Sequence, residues 1–307
     1  MLDPEILRAQ RELPIIDVHQ HFWRLKENYY PWLSDKPVHF RYGNYASIKH
    51  DYMPADYRRD AGANRVVKTV HEEAWFDPAD PVGETRWVTE VAKTHDLPTA
   101  LVANGPLAQD DVEEILTGHA SSPLTRGIRN FPKASRSPRE VTRGEAGSMD
   151  DPRWRYGYSL LEEHGFSADI QSPWWDVDAL CELAGDFPGT QIIVVHAGLP
   201  VDRSEEGLAG WRSAMEKAAR YPNVAVKLSG IGEAGKRWSL QSNRPIIRDL
   251  VSIFGADRGM FASNFPVDGV VGTFTEIYDG FRAAVADLPF PEQKKLFHDN
   301  AARIYRL

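Results

Sequence analysis

The sequence predicts a (β/α)8 barrel, and three observations carry that expectation. Eight short apolar, β-branched runs recur along the chain. From Gly83 onward, longer stretches of helical periodicity separate them, the βα alternation of a parallel sheet. Polar residues of catalytic type gather at the trailing ends of the runs, where a closed barrel carries its chemistry. A doubly wound open sheet would place a glycine-rich phosphate turn after an early strand, and "HQHFWRLKENYYP" is nothing of the kind. The 307 residues are read as one domain, 1–307, a size that α/β barrels commonly reach.

In order, the strand candidates are "PIIDVH" (14–19), "RVVKTV" (65–70), "PTALVA" (98–103) and "RGIRNF" (126–131), then "FSADIQ" (166–171), "QIIVVH" (191–196), "NVAVKLS" (223–229) and "GMFAS" (259–263). The fourth and fifth are only weakly apolar. Amphipathic periodicity predicts helices over Gly83 to Thr94, Asp110 to Gly118, Trp154 to His164, Asp176 to Phe187, Leu208 to Arg220, Ser242 to Phe254, Phe274 to Leu288 and Pro291 to Tyr305. The first connection is unusually long, from Phe22 to about Pro54, and rich in aromatic residues such as Trp23, Tyr30, Trp32, Phe40 and Tyr42. A loop of that length is either a packed lid over a pocket or a small subdomain covering hydrophobic surface.

Composition narrows the function classes. Lys plus Arg number 36 against 44 Asp plus Glu, a net charge of −8. That balance argues against a nucleic-acid or anionic-membrane partner and leaves a small molecule as the expected ligand. Cys181 is the single cysteine, so neither an intrachain disulfide nor a CxxC metal site is available. "MLDPEILRAQRELP" lacks the apolar core of a secretion signal, and no run approaches 18 apolar residues. A cytoplasmic protein without a membrane partner is expected.

The strand ends form a consistent set: His19 and His21, then His71, Glu72 and Glu73, Asn104, Arg129 and Asn130, Gln171, His196, Lys227 and Ser229, and Asn264 with Asp268 nearby. Side chains at i and i+2 of a strand share a face, so His19 and His21 are expected to point together into the barrel mouth. Neutral imidazoles suit zinc, and a catalytic zinc wants about three protein ligands plus an open position, a count His19, His21 and His196 meet. The other reading is that each satisfies local hydrogen bonds. Arg129 at a rim would fork onto a carboxylate or a polarised carbonyl oxygen, or serve a structural ion pair. Trp23 and Glu72 join it as candidate substrate contacts. The basic loop "FPKASRSPREVTRG" either draws in an anion or is a solvated surface, and "SPWW" is either a stacking wall or helix packing.

Taken together, "IIDVHQHFW", "YYPWLSD", "ETRWV", "GIRNF", "VVHAGLP", "VKLSG", "FASNFPVD" and "NAARIYRL" resemble, in order from about Pro14 to Leu307, the amidohydrolase superfamily and its amidohydrolase-related lactone hydrolase branch. The resemblance implies a barrel that hydrolyses small lactones, either aldonolactones or pyrone- and muconolactone-type carboxylates. It carries the site onto His19, His21, His196 and Arg129, and leaves open whether a divalent metal, zinc first, is bound. One departure matters. The family's eighth strand usually ends Ser-Asp-Trp-Pro with the aspartate as general base, whereas this chain reads "SNFP" with Asn264 there. An amide cannot accept a proton at neutral pH. Either the base has moved, to Asp268, His196, Glu72 or Glu73, or the chemistry differs, as in a metal-dependent decarboxylase, or the barrel binds a ligand without turnover.

Overall fold

The computed structural model describes residues 10–307; the first nine, on which the reading of the N-terminus partly rests, lie outside them. Eight strands stand in sequence order around one sheet: β1 (Ile15–Gln20), β2 (Val66–Glu72), β3 (Ala100–Asn104), β4 (Thr125–Asn130), β5 (Ser167–Ile170), β6 (Ile192–Val194), β7 (Val224–Leu228) and β8 (Gly259–Phe261). Every neighbouring pair is parallel. Parallel strands covered on both faces read as near-continuous apolar runs, which is why the sequence exposes them.

Closure is made just beyond the ends of β1 and β8 rather than by a full ladder. Gln20 bridges Phe265, the His21 amide donates to the Phe265 carbonyl at 2.8 Å, and the Asn264 amide donates to the His19 carbonyl at 2.7 Å. Asp17, fully buried, accepts from the Ser263 amide (2.8 Å), the Ser263 hydroxyl (2.6 Å) and the Tyr57 hydroxyl (2.7 Å). The result is a near-closed TIM barrel.

Helices follow the strands on the outside: α1 (Pro54–Ala61), α2 (Gly83–His95), α3 (Val112–Ala120), α4 (Pro152–Ser159), α5 (Val177–Asp186), α6 (Glu205–Ala219), α7 (Leu240–Phe254) and α8 (Phe274–Ala284). Their starts carry the expected caps: Ser204 and Ser239 accept from the amides of Gly207 and Ser242, and Thr273 with Glu276 forms a reciprocal capping box. One difference from the sequence reading stands out: α1, with Pro54 at its first turn, forms where the sequence predicts only the edge of the long connection. The terminal helix expected over Pro291 to Tyr305 is present as one continuous helical run, α9 (Phe290–Lys294), a π-turn over Lys295–Asp299, and α10 (Asn300–Ile304). No helix among the described residues is long and apolar enough to cross a membrane.

Alternate strand positions divide the core. Ile16, Val18, Val70, Val102, Ile193, Ala225 and Met260 form an inner cluster with Ala301, Ile304 and Tyr305. Ile15, Leu101, Ile128, Ile170, Val194 and Phe261 face the helices in a larger outer cluster. Each such side chain stabilises the fold by about 1.5–3 kcal/mol when fully buried. The pairing of β1 with β2 shifts register between Asp17 and Gln20. Past that shift the simple alternation of β1 breaks, and His19 and His21 turn toward the mouth.

The connection from Phe22 to Pro54 is a packed cover. Trp32 meets Trp23 edge-on at 5.7 Å and lies 5.5 Å from Tyr45, while Phe40 stands 4.8 Å from Tyr45. Trp23 and Tyr52 exchange backbone hydrogen bonds that close the loop on itself.

Candidate active site

A cavity of about 210 Å³ opens where the strands end. Its wall takes Trp32, Val38, His39, Phe40 and Arg41 from the cover, so this loop lines the pocket it packs over. From the barrel come His21, Glu73, Trp75, Arg129, Gln171, His196 and Asn264. Several of these sit on strained backbone. Trp75, His196 and Asn264, with Ala197 and Leu199, all have positive φ between 51° and 58°. Non-glycine residues hold that conformation only when their surroundings fix it, and such strain concentrates at functional sites.

The three histidines named from the sequence converge. The His19 ring lies 5.0 Å from that of His21 and 4.5 Å from that of His196, centroid to centroid, and all three are buried. Burial is the main force pushing each well below the usual histidine range, with His196, Lys227 and Arg129 adding to the effect on His19 and Arg41 adding to that on His196. The cluster is therefore neutral at pH 7.

Hydrogen bonding fixes what these rings offer. His21 Nδ1 donates to the Glu72 carbonyl at 2.8 Å, which leaves Nε2 of the neutral ring with a lone pair. That lone pair faces Asn264 Oδ1 at 3.3 Å. The amide cannot turn round without losing the 2.6 Å bond its Nδ2 donates to Asp268 Oδ1. Two acceptors thus point at each other, while both ring nitrogens of His19 are buried with no partner. A pair of facing acceptors, and an imidazole whose one acceptor and one N–H are both unpartnered, are costly to bury unless a bound group completes them. Two donor atoms of a tetrahedral zinc stand roughly 3.3 Å apart, so the donor set fits a small divalent ion. Among the described residues no three His, Cys, Asp or Glu side chains form a ready-made metal site. His21 Nε2 and Asn264 Oδ1 supply two donor atoms at that spacing, with the His19 ring beside His21 and the His196 ring beside His19; His196 Nδ1 stands 3.0 Å from Ser229 Oγ, which leaves its Nε2 unengaged.

The acidic candidates divide sharply. Asp268 does not reach the cavity: its Oδ1 accepts from Tyr42 Oη (3.0 Å) and Asn264 Nδ2, so it orients Asn264 from behind. Glu72 lies deeper, against Lys227 Nζ at 2.6 Å, and does not line the cavity as a substrate contact. Lys227 also meets Asp169 at 2.7 Å, and Asp169 accepts from Tyr305 Oη at 2.7 Å, closing a fully buried ion cluster. Glu73 is the carboxylate that faces the cavity. Its Oε2 accepts from the Trp75 amide (2.8 Å) and its Oε1 from Arg129 Nη1 (3.3 Å), and burial pushes its carboxyl up to about 7.

Arg129 lines the cavity as expected, but most of its donors are engaged, Nη1 with the Glu73 carbonyl at 3.0 Å and Nη2 with Gln171 Oε1 at 2.6 Å. Trp23 corrects another expectation: it stacks behind His21 at 6.1 Å, donates Nε1 to the His50 carbonyl and is wholly buried, so it supports the ring without touching the cavity. Trp175 of "SPWW" donates to the Ser135 carbonyl and packs on Trp174. In the basic loop, Lys133 and Arg143 are paired with surface acids. The residue that sequence reasoning missed is Arg41, which sits in the cover with no periodicity to mark it.

The sequence pattern of the amidohydrolase family matches residues 16–307. An uncharacterized protein, y4mH of Sinorhizobium fredii, is 38% identical over 296 residues, covering 96% of this chain and 99% of that protein. The L-fucono-1,5-lactonase of Burkholderia ambifaria is 27% identical over 300 residues, covering 95% of each chain. An amidohydrolase from Burkholderia multivorans, crystallised with bound zinc, has the same fold with a TM-score of 0.78 at 23% identity, covering 95% of this chain and 99% of that one. With the match spanning nearly every described residue, the chain belongs to the amidohydrolase family.

Proposed function

We propose that the protein opens a small lactone by adding water to its ring carbonyl. The observation that carries this reading is that His21, Asn264 and a single ionisable carboxylate, Glu73, line one cavity, with His21 Nε2 facing Asn264 Oδ1 and the unpartnered ring of His19 packed against His21. The likeness to a protein named L-fucono-1,5-lactonase supports the same direction.

His19, His21 and Asn264 Oδ1 would hold a divalent ion of the zinc type, which when bound polarises the carbonyl as a Lewis acid. Glu73 takes the proton from the attacking water. A carboxyl near pH 7 is matched to that task, ionised often enough to accept and acidic enough to give the proton back. The same group returns it to the ring oxygen as the C–O bond breaks, so the step releases one hydroxy acid and leaves the site unchanged. Arg129 Nη1 steadies the Glu73 carboxylate, and Asp268 keeps the Asn264 oxygen aimed at His21. Asn264 itself is excluded as the base by its chemistry.

The test is a panel of sugar lactones and carboxylated lactones in weak buffer with a pH indicator, with and without added zinc. Acid release from at least one lactone, lost in His19→Ala and His21→Ala, is the expected outcome. No release from any of them overturns the proposal.

A further inference from the structure

The cavity wall contains a cation that the hydrolytic step does not use. Arg41 comes from the cover, and its Nη1 is buried with no hydrogen-bond partner. Its nearest carboxylate oxygen, Asp268 Oδ1, stands 3.8 Å from Nη2, beyond hydrogen-bond reach, and already accepts from Tyr42 and Asn264. The guanidinium rests over the Tyr42 ring at 4.7 Å, which fixes its plane without using its donors.

The local backbone is shaped around this group. Gly230 has φ +60°, and a Cβ there would stand 2.5 Å from both Arg41 Nη2 and His196 Nδ1. Only a glycine lets the guanidinium approach the histidine cluster so closely. Arg129, the other cation on the wall, also has a buried nitrogen without a hydrogen-bond partner, Nε at 3.6 Å from Glu72 Oε1, but its Nη1 donates to the Glu73 carboxylate and its Nη2 to Gln171. The charge left without a hydrogen-bonding anion is therefore that of Arg41. A buried guanidinium donor without a partner is costly in the empty protein and is repaid when an anion binds. The wall also carries four aromatic side chains, Trp32, Phe40, Trp75 and Phe131.

We propose that Arg41 selects an acidic substrate: the molecule this cavity takes is a small lactone bearing a carboxylate, which the Arg41 guanidinium binds while the ring lies between aromatic walls. This rests on the lactone-opening reading for the rest of the substrate, but the cation's preference is measurable without turnover. It departs from the neutral sugar lactone in the name of the Burkholderia ambifaria relative.

The experiment uses five- and six-membered lactones as matched pairs, each a ring carboxylate and its primary amide, which differ in charge and little in shape. Binding is measured by calorimetry and ring opening by acid release, for the wild type, Arg41→Met and Arg41→Lys. Arg41 is a loop residue with a partly exposed side chain, and Arg41→Lys keeps the charge should Arg41→Met fold poorly. A charge-assisted contact corresponds to about 10- to 100-fold in affinity. The wild type is expected to prefer the acid by at least that lower factor, Arg41→Met to abolish the preference, and Arg41→Lys to keep part of it. A wild type with no preference for any acid of the panel, or a preference that survives in Arg41→Met, overturns the proposal. Selective binding of the acids without ring opening would sink the lactonase reading and leave the assignment of Arg41 standing.

Discussion

Replacing Glu73 by glutamine separates the proposed base from its structural surroundings. Glutamine keeps one of the two acceptor oxygens, enough for the 2.8 Å bond from the Trp75 amide, and Arg129 gives up its 3.3 Å contact with the other but retains its 3.0 Å bond to the backbone carbonyl of residue 73. The fold is therefore expected to survive while proton transfer is lost. General base catalysis contributes typically 10²- to 10⁴-fold, so kcat of Glu73→Gln should fall by about that factor. The wild-type rate should decline in acid around pH 7, where the buried carboxyl takes its proton, and the residual rate of the variant should lack that limb. Stability gives a second reading. Burial lifts the Glu73 carboxyl from 4.5 to about 7 in the folded state. The folded protein holds this proton more tightly than the unfolded chain, so the contribution is present in full below pH 4.5 and lost as pH rises through 7, by about 3 kcal/mol. Because the buried histidines are common to both proteins, they cancel in the comparison. Glu73→Gln should gain on the wild type by roughly that amount in denaturant unfolding between pH 4.5 and pH 8. Activity within a factor of ten of wild type, or an acid limb that persists in the variant, refutes the assignment of the base.

Other outcomes follow from the same geometry. Lys227→Met leaves Glu72 and Asp169 buried without their shared cation and should cost about 3–5 kcal/mol in urea unfolding; a loss below 1 kcal/mol would mean water reaches the cluster. Gly230→Ala forces a side chain into positive φ and against His196 and Arg41, with an expected cost of about 1–3 kcal/mol and a loss of ring opening larger than the loss of fold. Elemental analysis should find about one divalent ion per chain in protein purified without chelator, and His21→Ala should bind it at least tenfold more weakly. Protein that carries no ion and regains none from added zinc would remove the metal from the reading. Finally, His71 is held down to about 3 by burial, so its neutral form stabilises the fold above pH 6.5 and that contribution is lost as pH falls toward 3. His71→Gln should lessen the acid sensitivity of unfolding in that window.

The barrel was largely legible because strands buried on both faces must be apolar, and all eight strands lie within two residues of the runs that predict them. The fourth and fifth runs read weakly for a physical reason: their inward positions hold Arg129 and Asp169 rather than hydrocarbon. The histidine cluster was legible from strand ends. Choosing between Glu72 and Glu73 was not, because neighbouring residues of a strand face opposite ways and the sequence does not reveal where the strand stops. Asp268 lies on a short turn, Val267–Val270, that no periodicity announces, and its role as a support for Asn264 appears only in three dimensions. Arg41 was invisible for the same reason, since an irregular loop writes no pattern in the chain.

The place where the cylinder shuts has a consequence of its own. His21 and Asn264, 243 residues apart, meet through their side chains because the bonds from the His21 amide to the Phe265 carbonyl and from the Asn264 amide to the His19 carbonyl fasten the first strand to the last. The join is thus a fuse: whatever parts the first strand from the last also parts His21 from Asn264, while the seven ladders between neighbouring strands do not run through it.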